Sequence, residues 1–300
     1  MKAWLNGTLV PAESVTVPLL CHSFSRGSAI FEVLDCVRTG RGPALFRLGA
    51  HVERFINSAR LLHMPLPVTR DELEAAVVET AKANGPGECA VKFFGYYGGI
   101  EYGLIPEGAE VSVAVFCYDP HAGGRTADLR DPISVGISSV RKISPTAAAV
   151  HAKACGHYVN PFLAKWEVVE RGFDDVLMLD ETGHVAEGAL ANIFFVKGGA
   201  VRTPELRNAL PGITRDSVMQ VIRGLGLELT ECDITPEEAL ASDEAFFTGS
   251  VIRVKPISRI EETVLGAECP GPVTARIRAA LEDAYEGRSP DHPEWLTYLE

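Results

Sequence analysis

The run Asp119-Pro120-His121-Ala122-Gly123-Gly124-Arg125-Thr126-Ala127-Asp128-Leu129-Arg130-Asp131-Pro132 breaks every hydrophobic period in the chain, and its glycines and prolines punctuate an element rather than continue one. A chain of 300 residues is long enough for two domains, each with its own core. The break predicts an N-terminal domain over 1–118, an interdomain linker over 119–132 and a larger C-terminal domain over 133–300.

Both sides of the break mix strands with helices. Before it, Trp4 to Val10 reads as strand, turn, strand; Ala50 to Leu62 and Arg70 to Asn84 carry helix-period apolar residues; Ala90 to Phe94 and Glu110 to Tyr118 read as strands. After it come a strand over Ile133 to Val140 and a helix from about Ala152 to Arg171. Hairpins follow at Asp175 to Glu187 and at Asn192 to Thr203. Helices over Ile213 to Gly224 and Pro236 to Ser242, a strand over Glu244 to Thr248 and a helix over Val273 to Tyr285 complete the domain. The tail from Gly287 to Glu300 contains prolines and is expected to be loosely ordered.

Charge and cysteine usage exclude several classes. The formal net charge is −12 with no block of Lys and Arg, which argues against nucleic acid as a partner. No run approaches the ~20 apolar residues of a membrane span, and Met1-Lys2-Ala3-Trp4-Leu5-Asn6-Gly7 is too weakly apolar for a signal peptide. The seven cysteines are odd in number, scattered and without a Cys-x-x-Cys pair, so a reducing cytoplasm and no metal site are expected.

The chemistry concentrates after the break. Lys153 stands among the small residues Ala152, Ala154 and Gly156, and Tyr158, Glu187 and the run Leu210-Pro211-Gly212-Ile213-Thr214-Arg215-Asp216 follow it. A Schiff-base enzyme needs a lysine amine beside a phenol and an acid facing a pyridine nitrogen, and this stretch offers all three. Pro211 and Gly212 open a helix whose free amides attract a dianion, helped by the Thr214 hydroxyl. Taken singly, each residue has a blander reading: Lys153 a surface lysine on a helix, Tyr158 a core phenol, Glu187 a turn acid.

Several motifs in order carry a family resemblance. They are His51-Val52-Glu53-Arg54-Phe55, the Lys153 segment, Glu187-Gly188-Ala189-Leu190-Ala191-Asn192, the Leu210 to Asp216 run, and Phe247-Thr248-Gly249-Ser250-Val251 followed by Pro256. Over almost the whole chain these resemble the class IV (fold-type IV) pyridoxal-phosphate-dependent aminotransferases, most closely the branched-chain branch. The resemblance implies an α/β (α+β) fold with a small N-terminal α/β domain and a larger C-terminal domain with a β-barrel-like core. It also implies pyridoxal 5'-phosphate as cofactor and a homodimer. Residue by residue, it implies that Lys153 carries the cofactor and moves the proton, and that Tyr158 bonds the phenolic oxygen. Glu187 would face the pyridine nitrogen, with Asn192 in support, and Arg54, Ile213, Thr214, Ser250 and Val251 would hold the phosphate.

The substrate side departs from the branched-chain pattern. Ala191 replaces an acid, Ala90 and Lys92 replace a Tyr-x-Arg pair, Arg26 replaces a tyrosine and Val33 a glycine. The Glu32-Val33 pair looks more like the D-amino-acid and (R)-amine branches. A substrate carboxylate still needs a cation, and Arg26, Lys92 and Arg125 are the candidates in that order. Phe31, Tyr96 and Tyr97 are candidate walls of an apolar pocket. The expected activity is transamination between a hydrophobic or branched-chain amino acid and a 2-oxo acid such as 2-oxoglutarate or pyruvate. The alternatives are a D-amino-acid or (R)-amine transaminase, an aminodeoxychorismate-type lyase, and a cofactor-binding protein without turnover; the Leu210 to Arg215 run looks more like the transaminases.

Overall fold

Alternating side chains along Cys89–Tyr97 make that strand two-faced: Val91, Phe93 and Tyr97 are buried while Lys92, Phe94 and Tyr96 are half-buried. The strand lies in the first of two units into which the chain divides. The computed structural model describes residues 1–85, 87–120 and 131–299. The first unit comprises Met1–Arg125, Ala152–His157 and Ala284–Glu300, and the second Thr126–His151 and Tyr158–Asp283.

In the first unit the elements are β1 (Lys2–Leu5), β2 (Thr8–Pro11), α1 (His22–Arg26), β3 (Ile30–Thr39), β4 (Gly42–Phe46), α2 (Leu48–Leu61), α3 (Arg70–Ala83), β5 (Cys89–Tyr97) and β6 (Val111–Tyr118). The second unit holds β7 (Ile133–Ile137), α4 (Val159–Glu170), β8 (Asp175–Leu179), β9 (Val185–Gly188), β10 (Asn192–Lys197), β11 (Ala200–Thr203), α5 (Ile213–Gly224), β12 (Leu229–Glu231), α6 (Pro236–Leu240), β13 (Glu244–Gly249), β14 (Arg253–Ile260) and β15 (Thr263–Val264). Helix α7 (Pro272–Tyr285) and strand β16 (Leu296–Tyr298) end the chain.

The first unit is a seven-stranded sheet in the order β16-β4-β3-β5-β6-β1-β2. One face packs against α2 and α3, where Leu34, Val52, Phe55, Leu73, Val77, Phe93 and Val115 form a single core. Helix α3 begins on a capping box in which Thr69 and Glu72 satisfy each other's end groups. The opposite face carries Phe31, Lys92, Phe94 and Phe116, with Phe94 between the other two rings at centroid distances of 6.1 and 6.2 Å. The second unit is a nine-stranded mixed sheet, β12-β11-β10-β13-β14-β7-β8-β9 with β15 off β14. Phe194 of β10 stacks on Phe246 of β13 at 5.1 Å.

The division differs from the expected one in two places. Residues 152–157 belong to the first unit because their backbone continues the start of β3: Phe31 N–H donates to Lys153 C=O at 3.0 Å, and Cys155 N–H to Ala29 C=O at 2.7 Å. Residues 284–300 belong there because β16 pairs antiparallel with β4 and Trp295 is buried, its ring 5.6 Å from that of Phe46. The tail is therefore ordered by sheet pairing, against the loose ordering expected from its prolines. The helix expected from Ala152 begins only at Val159, after a 3-10 turn over Cys155–Tyr158, so Lys153 lies in irregular backbone. Strands β3, β4 and β14 are additions to the expected elements, and within the expected linker residues 121–130 lie outside the described residues.

Candidate functional site

Lys153 is pinned through its own backbone. Its C=O accepts from Phe31 N–H at 3.0 Å and its N–H donates to Ser58 Oγ on α2 at 3.0 Å. Ser58 in turn donates to Arg54 C=O at 2.9 Å, so Ser58 joins the Lys153 segment to the helix that carries Arg54. On the far side, Gly156 N–H donates to Gly27 C=O at 2.9 Å. Gly27 has φ +70° and a Cβ there would stand 2.8 Å from Gly156 Cα, so both positions require glycine for this approach. The Lys153 amine is left 4.9 Å from the centre of the Phe31 ring.

A second amine shares that ring. Lys92 projects from β5, with its Nζ 4.8 Å from the Phe31 centroid and 4.9 Å from that of Phe94. Burial pushes the Lys92 ammonium below the ordinary lysine range, and the Lys153 charge pushes the same way against a pull from Cys155. Tyr96, on the same strand face, has its phenol raised by burial and bonds Ser112. Arg26 ends α1 exposed, donating to its neighbour's carbonyl, Ser25 C=O, at 3.3 Å. Lys153, Lys92 and Phe31 are thus brought together. Arg125 lies outside the described residues.

Arg54 is fixed by a residue to which the sequence reading gives no role. Glu32 is fully buried and accepts Arg54 Nε on one oxygen at 2.6 Å and Arg54 Nη2 on the other at 2.7 Å. His51, a turn earlier on α2, donates from Nδ1 to the same carboxylate at 2.8 Å. Burial alone would raise the Glu32 carboxyl, but the Arg54 charge and the bonds from Arg54 and His51 hold it well below the usual carboxylate range. Burial also lowers His51, outweighing its bond to Glu32. A signal is present in the sequence: in Ile30-x-Glu32-x-Leu34-x-Cys36 an acid falls on the core-facing side of a strand, where it needs a cation.

In the second unit the acid and the amide form one cluster. Glu187 is nearly buried near the end of β9; Lys142 Nζ lies 2.5 Å from its Oε1 and Asn192 Nδ2 donates to its Oε2 at 3.0 Å. Asn192 also donates to Leu210 C=O at 3.0 Å, which ties the acid to the loop entering α5. Gly212 is the N-cap of α5 without a side-chain cap, and a Cβ there would stand 2.0 Å from Asn192 Oδ1. Thr214 is buried in the first turn, while Ile213 before it is the first helical residue. Thr248 lies opposite Asn192 in the β10–β13 ladder, and its hydroxyl is buried with no hydrogen-bond partner. Ser250 and Val251 follow, half-buried, in the loop between β13 and β14. Tyr158 closes the 3-10 turn before α4 and is half-buried. Lys142 and Ser58 do not stand out in the sequence, because nothing in their local spacing distinguishes them from ordinary polar residues, and Thr248 appears there only within its motif, with no role of its own.

The chain resembles known proteins over its whole length. Residues 29–260 match the family model for amino-transferase class IV. A branched-chain-amino-acid aminotransferase of Pseudomonas aeruginosa is 34% identical over 296 residues, covering 99% of this chain and 96% of that protein. The structure of the Thermoproteus uzoniensis branched-chain aminotransferase with norvaline is similar with a TM-score of 0.94 and 34% identity, covering 100% of this chain and 99% of that one. That of the Thermobaculum terrenum branched-chain amino acid aminotransferase in its pyridoxal-phosphate holo-form gives 0.92 and 28%, covering 100% and 98%.

Proposed function

The chain belongs to the class IV aminotransferases, and from that premise we propose that it moves an amino group between a hydrophobic, branched-chain-type L-amino acid and a 2-oxo acid such as 2-oxoglutarate. It is a pyridoxal-phosphate-dependent transaminase. The observation that carries the reading is the pinned lysine: the Lys153 backbone is bonded on both sides while its amine stands over Phe31. A tethering amine must return to one place in each half-reaction, and backbone clamping fixes the point from which its side chain reaches.

The residues present fit the cofactor. Bound pyridoxal phosphate supplies an electron sink for the electrons left at the substrate α-carbon. In our reading the Lys153 amine carries the cofactor and moves the proton at that carbon. Glu187 faces the ring nitrogen, and Lys142 and Asn192 each use one oxygen of the carboxylate and leave further lone pairs for a third donor. Arg54, its guanidinium plane fixed by Glu32, is assigned to the phosphate, as are the amides of Ile213 and Thr214 and the loop at Ser250 and Val251. The unpartnered Thr248 hydroxyl, buried beside the Asn192 pairing, supports a ligand on that face. Tyr158 is assigned to the phenolic oxygen and Asn192 to holding Glu187 in place.

On the substrate side Lys92 takes the place of first candidate from Arg26. It shares the Phe31 ring with Lys153, whereas Arg26 is exposed. The names of the relatives and structures support hydrophobic amino acids over the D-amino-acid, (R)-amine and lyase alternatives. A homodimer in the cytoplasm completes the reading. The exposed face of α4 presents Val159, Phe162, Leu163, Trp166 and Val169 at helical spacing, an apolar stripe suited to a second copy. All seven cysteines are free of disulfides, and no described helix is long and apolar enough to cross a membrane.

The test is a half-reaction panel on the cofactor-loaded protein with L-leucine, L-glutamate, D-alanine and (R)-1-phenylethylamine, following loss of the lysine-bound cofactor's absorbance. Rapid conversion by the two L-amino acids alone is expected. Conversion by D-alanine or the (R)-amine in preference to L-leucine overturns the substrate class, and no conversion by any donor overturns transamination.

A further inference from the structure

Three cysteines meet on adjacent strands of the first unit. Cys36 and Cys89 are directly opposite in the β3–β5 ladder. Cys117 stands opposite Val91 in the β5–β6 ladder, one diagonal step from Cys89. All three belong to the face that packs against α2 and α3, which places the Cys89 thiol beside both of the others. Their accessibility differs. Cys36 and Cys117 are buried, whereas Cys89 is half-buried; Cys89 and Cys117 both line a surface cavity of about 570 Å³, with Arg38, Asn84 and Tyr118.

We propose that this cluster is an oxidation site for small hydroperoxides, in which Cys89 is the attacking sulfur and Cys36 the resolving thiol. Hydrogen bonds from Cys117 and then Cys36 pull the Cys89 thiol below the ordinary range, while the same contacts and burial push Cys36 and Cys117 above it. The most exposed of the three sulfurs is thereby also the one favoured as thiolate, which is the condition for a reactive cysteine. Cys155, half-buried beside Lys92 and Lys153, goes the other way because burial raises it.

The chemistry balances in two steps. The Cys89 thiolate attacks the hydroperoxide, an S–O bond forms as the O–O bond breaks, and the departing alkoxide or hydroxide takes a proton from water. Sulfur is oxidised by two electrons and the peroxide is reduced. Cys36 sulfur then attacks the sulfenic sulfur, an S–S bond forms, the S–O bond breaks, and water leaves with the Cys36 proton. Directly opposed strand residues have the side-chain proximity that a cross-strand bridge needs, while diagonal neighbours such as Cys117 stand farther apart. The site is distinct from the Lys153 amine: Cys36 is five residues along β3 from Phe31, roughly 17 Å at strand rise.

The experiment treats the cofactor-loaded enzyme with one equivalent of hydrogen peroxide per subunit, then applies dimedone, differential alkylation and peptide mass spectrometry. Cys89 is expected to be oxidised first, at least about tenfold faster than Cys155 at pH 7, with a Cys36–Cys89 disulfide accumulating. Cys36→Ser should abolish the disulfide and leave a dimedone adduct on Cys89. Because that variant alters a core position, native-state iodoacetamide rates on the unmodified protein give a second reading, with Cys89 again leading. Oxidation of Cys155, Cys232 or Cys269 ahead of Cys89, a bridge from Cys89 to Cys117, or no bridge at all would overturn the proposal.

Discussion

Lys142 Nζ lies 2.5 Å from Glu187 Oε1, and both side chains are nearly buried. The carboxylate that we assign to the ring nitrogen thus has a cationic partner supplied by the protein. Removing one member of such a pair leaves the other charge buried and uncompensated, at a cost of roughly 3–5 kcal/mol. Lys142→Met is therefore expected to lower the unfolding free energy of the cofactor-free protein by about 3 kcal/mol, measured by urea denaturation. Lys142→Met combined with Glu187→Gln should recover most of that loss. A double variant no more stable than the single one would mean that the pair is not what Lys142 stabilises.

Lys92 and Arg26 separate in their effect on substrate. A charge-assisted hydrogen bond contributes about 1.5–3 kcal/mol, so Lys92→Met is expected to raise KM for L-leucine by roughly 10- to 100-fold. Arg26→Ala should change it by less than about fivefold, since surface charges of this kind contribute about 0–1 kcal/mol. Steady-state kinetics decide the point, and the reverse ranking would restore Arg26 as the carboxylate's partner.

Ser58 predicts a loss of catalysis without direct contact with substrate. In Ser58→Ala the Lys153 N–H loses its acceptor, and an unsatisfied buried donor costs about 1–3 kcal/mol. The expected result is a fall in kcat of about tenfold or more with KM little changed, and retention of activity in Ser58→Thr, which keeps the hydroxyl. A rise in KM at constant kcat would show that Ser58 acts on binding instead.

The Glu32 cluster predicts sensitivity to acid. Both Glu32 and His51 are lowered in the folded chain, so the unfolded chain binds more protons as the pH falls, and both contributions to stability are complete at high pH and lost on acidification. The His51 contribution is lost from its ordinary value of 6.5 downward, and the Glu32 contribution from 4.5 downward. Between about pH 7.5 and 5.5 the wild type should therefore lose more stability than His51→Gln, read from urea midpoints. Equal losses in the two proteins would remove His51 from this linkage.

The residues that announce themselves in sequence are those whose neighbours are unusual. Lys153 sits among small residues, and Pro211-Gly212 opens a helix that the structure begins at Ile213. Hairpins with glycine turns are legible for the same reason, and β10 and β11 have the expected bounds. Strand β3 is not legible because it mixes buried polar and apolar residues, and β14 because its apolar positions do not alternate and a proline interrupts it. Glu32, Ser58 and Lys142 depend on partners 22, 95 and 45 positions away, as in Arg54–Glu32, Lys153–Ser58 and Glu187–Lys142. Local spacing carries no trace of such pairings. The alanines of the Lys153 segment favour a helix and so predict one, whereas cross-chain bonds to Ala29 and Phe31 hold the backbone in another conformation.

Strand β16 occupies one edge of the first sheet and β2 the other, while the Lys153 segment lies against the start of β3 between them in sequence. On the ribosome, the residues that begin this sheet emerge first and the strand that closes its edge emerges last. The first 118 residues must therefore wait, partly unshielded at β4, for the second unit to be synthesised. An early release or truncation before Leu296 would expose the β4 edge, and one before Tyr285 would also uncover Phe46, which stacks on that ring at 3.7 Å. Shielding of this edge in the growing chain thus depends on residues made after the second unit.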